Sequence, residues 1–464
     1  MEQGLLDAIA ERLDIVASLM WTYMVPVLFG IGALLTIRIG FLQFRRLGAT
    51  LRITLGKRAR AQIGEGDVSP FAALTTALAA TVGNGNIAGV ATALAMGGPG
   101  AIFWMWVCGL LGMATKYSEA VLGVEFRRKH PDGTIAGGPM YYIRYGLNDT
   151  PFARVLAGIF ALCGVVSALF GIGNMVQSNS MATAFQSEFG VPPVATGAVV
   201  TVLVGLVIIG GIKRIGAVAS RLVPAMILVY FAFGAIVLLA NITAVPHAIA
   251  LIFSHAFSPA AATGGFMGAT LRQAIQLGAR RGVLSNEAGL GSAPIAHAAA
   301  QTPGPVYQGL IGMAEVFIDT ILVCTFTALI LLTSDAWRGE LAGAAMTAGA
   351  FSNTIPYLGG AVVAGASFLF GYSTLLGWCY YGEQCLKYLV GIRATGLYRI
   401  VFICLTFVGA LASIEIVFTL GDISNVIMAF PNLIGLMLLS GLVARITRDV
   451  LAKDPKLSFD AENG

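Results

Sequence analysis

ALAATVGNGNIAGVATALAMGG, residues Ala77 to Gly98, is an apolar stretch with two Gly-Asn pairs at its middle. Its length suits a membrane crossing, yet Gly83, Asn84, Gly85, Asn86 and Gly89 all oppose a helix there. Glycine costs about 1 kcal/mol against alanine in a helix interior, and asparagine offers its side chain to the backbone as a competing partner. The stretch predicts a span that unwinds at mid-bilayer. Non-helical backbone at that depth persists only where protein buries it or where it lines a cavity. Close small-residue packing of two helices is the competing reading, but such packing has no need of two asparagines.

The remainder of the chain supplies the membrane setting. Of its 464 residues 57% are hydrophobic and 11% charged, and mean hydropathy is +0.82. Soluble chains carry about 25% charged residues, so a soluble enzyme, a disordered protein and a nucleic-acid binder are all excluded. Uninterrupted runs such as Val194 to Gly210 differ from the roughly 10-residue alternating segments of a β-barrel. An all-α polytopic membrane protein remains. Spans of about 20 apolar residues are needed, and about eleven can be placed, near 18–37, 70–95, 99–123, 153–182, 193–211, 218–240, 264–299, 306–332, 359–389, 397–419 and 425–444. The chain reads as one transmembrane domain, 1–464, with no soluble domain and no cleaved signal peptide apparent. The six cysteines fall in apolar segments without metal-ligand spacing and read as small buried hydrophobes.

Lysine and arginine set the expected orientation. Arg38, Arg45, Arg46, Arg52, Lys57, Arg58 and Arg60 follow the first span; Lys116, Arg127, Arg128, Lys129 and Arg144 are assigned to the third connection. Every second connection after that is again basic, ending with Arg445, Arg448, Lys453 and Lys456. The alternation places the N-terminus outside and the C-terminus, with a tail over 445–464, in the cytoplasm.

A second interrupted stretch, QAIQLGARRGVLSNEAGLGSAPIAHAAA (Gln273 to Ala300), carries Gly278, Gly282, Gly289, Gly291 and Pro294. Arg280, Arg281, Asn286 and Glu287 sit near its middle, too polar for a lipid-facing helix. Two broken spans at corresponding places in two halves point to the binding site of a secondary transporter. Five spans over 70–240 and five over 264–444 make two sets. Because five is odd, the second set is inverted relative to the first, and the helix at 18–37 is an addition outside the repeat.

GGPGAIFWMWVCGLLGMATKYSE (Gly97 to Glu119) resembles the signature of the alanine or glycine:cation symporter family, the sodium:alanine symporters. TVGNGNIAGVA (Thr81 to Ala91) and GVLSNEAGLGSAPIAHA (Gly282 to Ala298) resemble it too. The resemblance covers nearly the whole chain. It implies the five-plus-five inverted-repeat fold of the amino acid–polyamine–organocation superfamily and Na⁺-coupled uptake of small neutral amino acids, alanine and glycine above all. It also implies a multi-pass protein of the bacterial inner membrane. Na⁺ is the co-transported ion, with no organic cofactor, no nucleic acid and no obligatory protein partner. The alternatives are H⁺-coupled transport and a non-transporting amino-acid sensor. No motif of a membrane enzyme is present.

Unwinding exposes N–H groups at one half-helix and carbonyls at the other. A zwitterionic amino acid can use both, with its carboxylate at the positive helix end. By similarity to the fold's first broken helix, Asn84 and Gly85 are assigned the carboxylate-facing N–H groups, and the Asn86 side chain orients substrate or ion. Gln177, three residues after Asn174, shares its helix face, and the family resemblance implies a substrate contact for it; for Asn174 an interhelical hydrogen bond is the competing reading. Gly282 joins the set from the second broken span. Thr374 and Trp378, four apart, share a face, with the indole as the wall of a small pocket. The resemblance implies an ion site between the second and ninth spans, which places the coupling Na⁺ on the carbonyls of Ala79 and Val82 and the hydroxyls of Ser373 and Thr374, unless both hydroxyls bond back to their own helix. For Glu315 and Asp319, with Arg280 and Arg281 at similar depth, ion pairing with the arginines is favoured over proton coupling; Glu287 stands between these readings. His297 is read as a packed polar residue rather than a proton relay.

Overall fold

The computed structural model describes residues 2–60, 64–130, 133–257, 271–339, 341–412 and 414–453. Helices account for nearly all of them. Seven are long and apolar enough to cross a membrane, and an eighth crossing is the bent pair Pro70–Thr81 and Asn84–Gly97, kinked by 59°.

In chain order the elements that matter are α1 (Glu2–Arg38), α2 (Pro70–Thr81), α3 (Ala88–Gly97), α4 (Gly100–Glu125), α5 (Pro151–Phe170), α6 (Met175–Phe189), α7 (Pro193–Ile208) and α8 (Gly211–Ala240). They continue with α9 (Leu271–Asn286), α10 (Ala293–Ala298), α11 (Pro305–Val316), α12 (Thr325–Thr333), α13 (Gly359–Val390), α14 (Thr395–Leu411) and α15 (Ile414–Lys453). Starts follow local chemistry. Ser69 caps α2, its Oγ accepting from the N–H of Ala72 at 3.2 Å, ahead of Pro70; Thr150 does the same for α5 ahead of Pro151.

α2 and α3, α4, α9 and α10, α11 and α13 form the centre, with α5 and α6 against α13. α2 crosses α13 closely. A Cβ on Gly377 would stand 2.8 Å from that of Ala80, so only glycine permits the approach. α1 lies against α15 and α4. Outward faces of α7, α8 and α14 show Val202, Leu206, Leu228, Leu239, Leu397 and Ile400, an apolar surface of the size that a bilayer covers.

Several expected boundaries shift. The span expected at 153–182 is interrupted at 171–174, between α5 and α6. The turn between the last two spans falls at Ala412 rather than after 419, and the last helix runs to Lys453 instead of ending at 444. Residues 264–270 and 454–464 lie outside the described residues. Lys116 does not belong to a connection. It is fully buried within α4, and Arg127, Arg128, Lys129 and Arg144 remain in the connection that follows that helix.

Candidate functional site

Both breaks occur where glycine and asparagine cluster. In the first, α2 ends at Thr81; Val82 and Gly83 leave helical geometry, and Asn84–Asn86 form one short turn before α3. Asn86 locks this turn: its Oδ1 accepts from the N–H of Gly83 at 2.9 Å. The N–H groups that open the turn, at Asn84 and Gly85, have no intrahelical carbonyl to meet. The second break lies at Glu287–Ser292, between α9 and α10. Glu287, Gly289 and Gly291 all take positive φ there, 56°, 92° and 81°. For glutamate this backbone is strained.

A small cavity of about 80 Å³ lies between the breaks. Gly83, Asn84, Gly85, Ala88, Gly89 and Thr92 line it from the first broken helix, Arg281, Leu284 and Glu287 from the second, Gln177 from α6 and Thr374 from α13. Gln177 accepts from Asn84 Nδ2 at 3.1 Å and donates to the carbonyl of Ile172. Asn84 Oδ1 accepts from Ser367 at 2.5 Å. The cavity shares Asn84, Ala88, Thr92 and Arg281 with a wider vestibule of about 450 Å³ that opens beside the end of α6 and the start of α13. It shares no lining residue with the hollow at the opposite face around Lys213, Glu383 and Arg399. That face is shut by backbone: Asp67 and Val68 N–H donate to the carbonyl of Ala299, and Gln301 N–H donates to Val68. Arg127 ties in the carbonyls of Ala298 and Ala300 at 3.2 and 2.7 Å.

The structure gathers Asn84, Gly85, Gln177 and Thr374 at the cavity and moves other expected residues away from it. Gly282 is mid-helix in α9, and its open side faces Cys108 and Met105 on α4. Asn86 points away, with Nδ2 donating to Asp319 Oδ1 at 2.7 Å. Trp378 is fully buried one layer behind the cavity. Its Nε1 donates to Glu287 Oε1 at 2.7 Å, and its ring is so close to Gly173 that a Cβ there would come within 2.7 Å. Asn174 and Gln177 do not share a face, because Asn174 stands in the interruption before α6 with non-helical φ, −136°, and donates to the carbonyl of Phe402.

Ser373 and Thr374 both donate to the carbonyl of Phe370 at 2.9 Å. This is the back-bonding named above as the competing reading for the pair; it fixes the hydrogens and leaves the hydroxyl lone pairs without a donor from the helix. Ala79 and Val82 are buried on the facing broken helix.

The expected pairing of Glu315 and Asp319 with Arg280 and Arg281 does not form. Arg280 reaches Asp422 on α15. Glu315 instead meets Lys116 Nζ at 3.2 Å and His297 Nε2 at 3.0 Å. Glu119, absent from the expected site, anchors the second break. Its Oε1 accepts from the N–H groups of Gly289 and Gly291, each at 3.1 Å, and from Asn432 Nδ2 at 2.6 Å. The one signal for it in the sequence is a lysine and a glutamate three apart within MATKYSE.

Helical packing around a cavity between two broken helices defines a membrane transporter rather than an enzyme. The chain belongs to the sodium:alanine symporter family, which it matches over residues 6–460. It is 49% identical over 444 residues to an uncharacterized transporter of Haemophilus influenzae, covering 95% of this chain and 96% of that one. It is 48% identical to the sodium/alanine symporter AgcS of Methanococcus maripaludis, over 93% and 95% of the two chains. To the probable sodium/glutamine symporter GlnT of Bacillus subtilis it is 37% identical, over 93% and 88%. A crystal structure of a mutant of the Eremococcus coleocola manganese transporter has a similar fold, with TM-score 0.50, 14% identity and coverage of 88% and 85%. The chain is thus a Na⁺-coupled amino-acid symporter by family.

Proposed function

We propose that the chain couples Na⁺ influx to uptake of small neutral amino acids, alanine and glycine, by alternating access. The observation that carries this reading is the composition of the small cavity. Asn84 and Gly85, whose N–H groups meet no intrahelical carbonyl, line one side and Glu287 the other. The first suits a substrate carboxylate, the second its ammonium. Leu284, Ala88 and Ile172 close the remaining walls and leave little volume for a side chain. Na⁺ is a hard cation that prefers oxygen ligands. Carbonyls of Ala79 and Val82 with the lone pairs of Ser373 and Thr374 supply them, between a moving helix and α13.

Eleven spans in a five-plus-five inverted repeat, with α1 outside it, accommodate the two breaks. An exterior N-terminus in the bacterial inner membrane puts the vestibule outside and the Arg127 closure in the cytoplasm, so the described conformation faces outward. Uptake of labelled alanine into proteoliposomes tests the reading: a Na⁺ gradient should drive accumulation well above that with K⁺, and equal uptake in K⁺ would end it.

A further inference from the structure

The hollow at the closed face holds polar groups that transport itself does not use. It encloses about 290 Å³ between the start of α8, the end of α13 and the start of α14. Lys213, Lys387 and Arg399 line it, against the carboxylates of Asp67 and Glu383. Glu383 is already answered twice, by Lys387 Nζ at 2.9 Å and Arg399 Nε at 2.7 Å, and Asp67 accepts from the N–H of Ile135 at 2.8 Å. Lys213 is exposed and, among the described residues, pairs with no carboxylate. The positive end of α8 stands beside it at Gly211, with no side-chain cap. Positive charge is in excess here.

The same hollow has buried oxygens with nothing to meet. Gln384 is 3% exposed, yet its Oε1 has no hydrogen-bond partner among the described residues, and neither has the Oγ1 of Thr395, the first residue of α14. Both residues line the hollow. A buried carbonyl oxygen without a donor is costly, so the fitting occupant carries hydrogen-bond donors as well as negative charge. Apolar surface begins at the edge. Ile392 lines the hollow, and Ile209, Val390 and Leu397, on the neighbouring helix ends, are 67%, 61% and 68% exposed. Arg399 donates to the carbonyl of Ile209 at 3.0 Å, which joins the cationic wall to the apolar edge. A basic pocket between membrane helices with such an edge suits a lipid, headgroup inside and chains outside.

We propose that this hollow binds an anionic phospholipid whose headgroup bears hydroxyls, phosphatidylglycerol being the simplest. The phosphodiester meets Lys213 and the first N–H groups of α8. The glycerol hydroxyls donate to Gln384 Oε1 and Thr395 Oγ1, and the acyl chains lie along the exposed ends of α7, α13 and α14. Asp67 lines this hollow, and its N–H takes part in the backbone closure to Ala299. Opening the face moves Asp67 and reshapes the hollow, so a headgroup held there favours the shut arrangement. Neither the amino acid nor the coupling ion enters this site.

Native mass spectrometry of the full chain in neutral detergent, titrated with dioleoylphosphatidylglycerol or dioleoylphosphatidylcholine, tests the site. Wild type should bind the first phosphatidylglycerol roughly tenfold tighter than phosphatidylcholine; equal affinity overturns the proposal. Lys213→Gln should weaken phosphatidylglycerol binding about fivefold, the effect of one lysine near a membrane surface. Lys453→Gln, at the end of α15, should leave it unchanged. Equal weakening by these two variants would reduce the binding to general surface attraction and overturn the site. Gln384→Leu keeps the charge and removes the amide, and should also lose affinity. If that variant does not fold, Thr395→Val takes its place. Undiminished binding by the variant used overturns the proposal. So does displacement of the lipid by an equal concentration of glycerol 3-phosphate, which would assign the hollow to a soluble phosphate.

Discussion

Glu287 shows how much one residue is asked to do. Its backbone is left-handed, its oxygens take hydrogen bonds from Trp378 and Ser292, and the residue lines the cavity. Trp378 therefore acts on the substrate through Glu287. Trp378→Phe keeps ring bulk against Gly173 but removes the N–H. A hydrogen bond to a charged group contributes about 1.5–3 kcal/mol, so KM for alanine should rise about tenfold or more in uptake kinetics while leucine stays excluded. Leucine uptake by this variant would instead make the indole a wall of the cavity. Glu287→Gln keeps the shape and removes the charge, and should cut alanine uptake at least tenfold while Na⁺ binding to purified protein persists; wild-type uptake kinetics would remove Glu287 from the site. At this scale the place of Asn84 and Gly85 beside a cavity was legible from the break they form, and that of Gln177 through the family resemblance. The direction of Asn86 was not. A side chain at a break can serve the ligand or the backbone, and only the position of Asp319, 233 residues away, decides between them.

Elements are held by partners that periodicity does not reveal. The breaks themselves were visible as runs of glycine and asparagine, since those residues weaken a helix wherever they fall. What keeps the second break open was hidden. Lys116 sits on the C-terminal half of α4, where a count of lysines assigns it to the adjoining loop, and Glu119 lies one turn further on. Their burial follows from α4 packing against α9, α10 and α11, a tertiary fact. Lys116→Met should leave Glu315 without its cation and destabilise the protein by about 3–5 kcal/mol. Adding Glu315→Gln should restore much of that loss, read as thermal unfolding in detergent. A double variant no more stable than Lys116→Met would mean that the two residues are uncoupled. Likewise the interruption at 171–174 could not be read from FGIGNM alone, because Gly171 and Gly173 are also compatible with close packing.

For the molecule as a whole, the fold class and the pair of broken helices could be read from composition and spacing, because a bilayer leaves few options. Which face stands open could not. It depends on the contacts of 66–68 with 299–301, two segments whose sequences carry no sign of one another. Arg127 adds two bonds to that closure. Arg127→Ala should therefore weaken it by about 1.5 kcal/mol or more, shifting the balance between faces roughly tenfold. With Thr92→Cys in the vestibule as reporter, labelling by an impermeant maleimide from the vestibule side should slow in the Arg127→Ala background. Unchanged labelling would show that the backbone contacts suffice.

The three bonds that join Asp67, Val68, Ala299 and Gln301 are all main chain to main chain. Side-chain substitution cannot delete them, because every residue but proline brings the same N–H and every residue the same carbonyl. The pace at which this face opens is consequently sheltered from most point mutations, whereas the chemistry of the cavity is open to them. Relatives can drift toward new substrates while inheriting one clock.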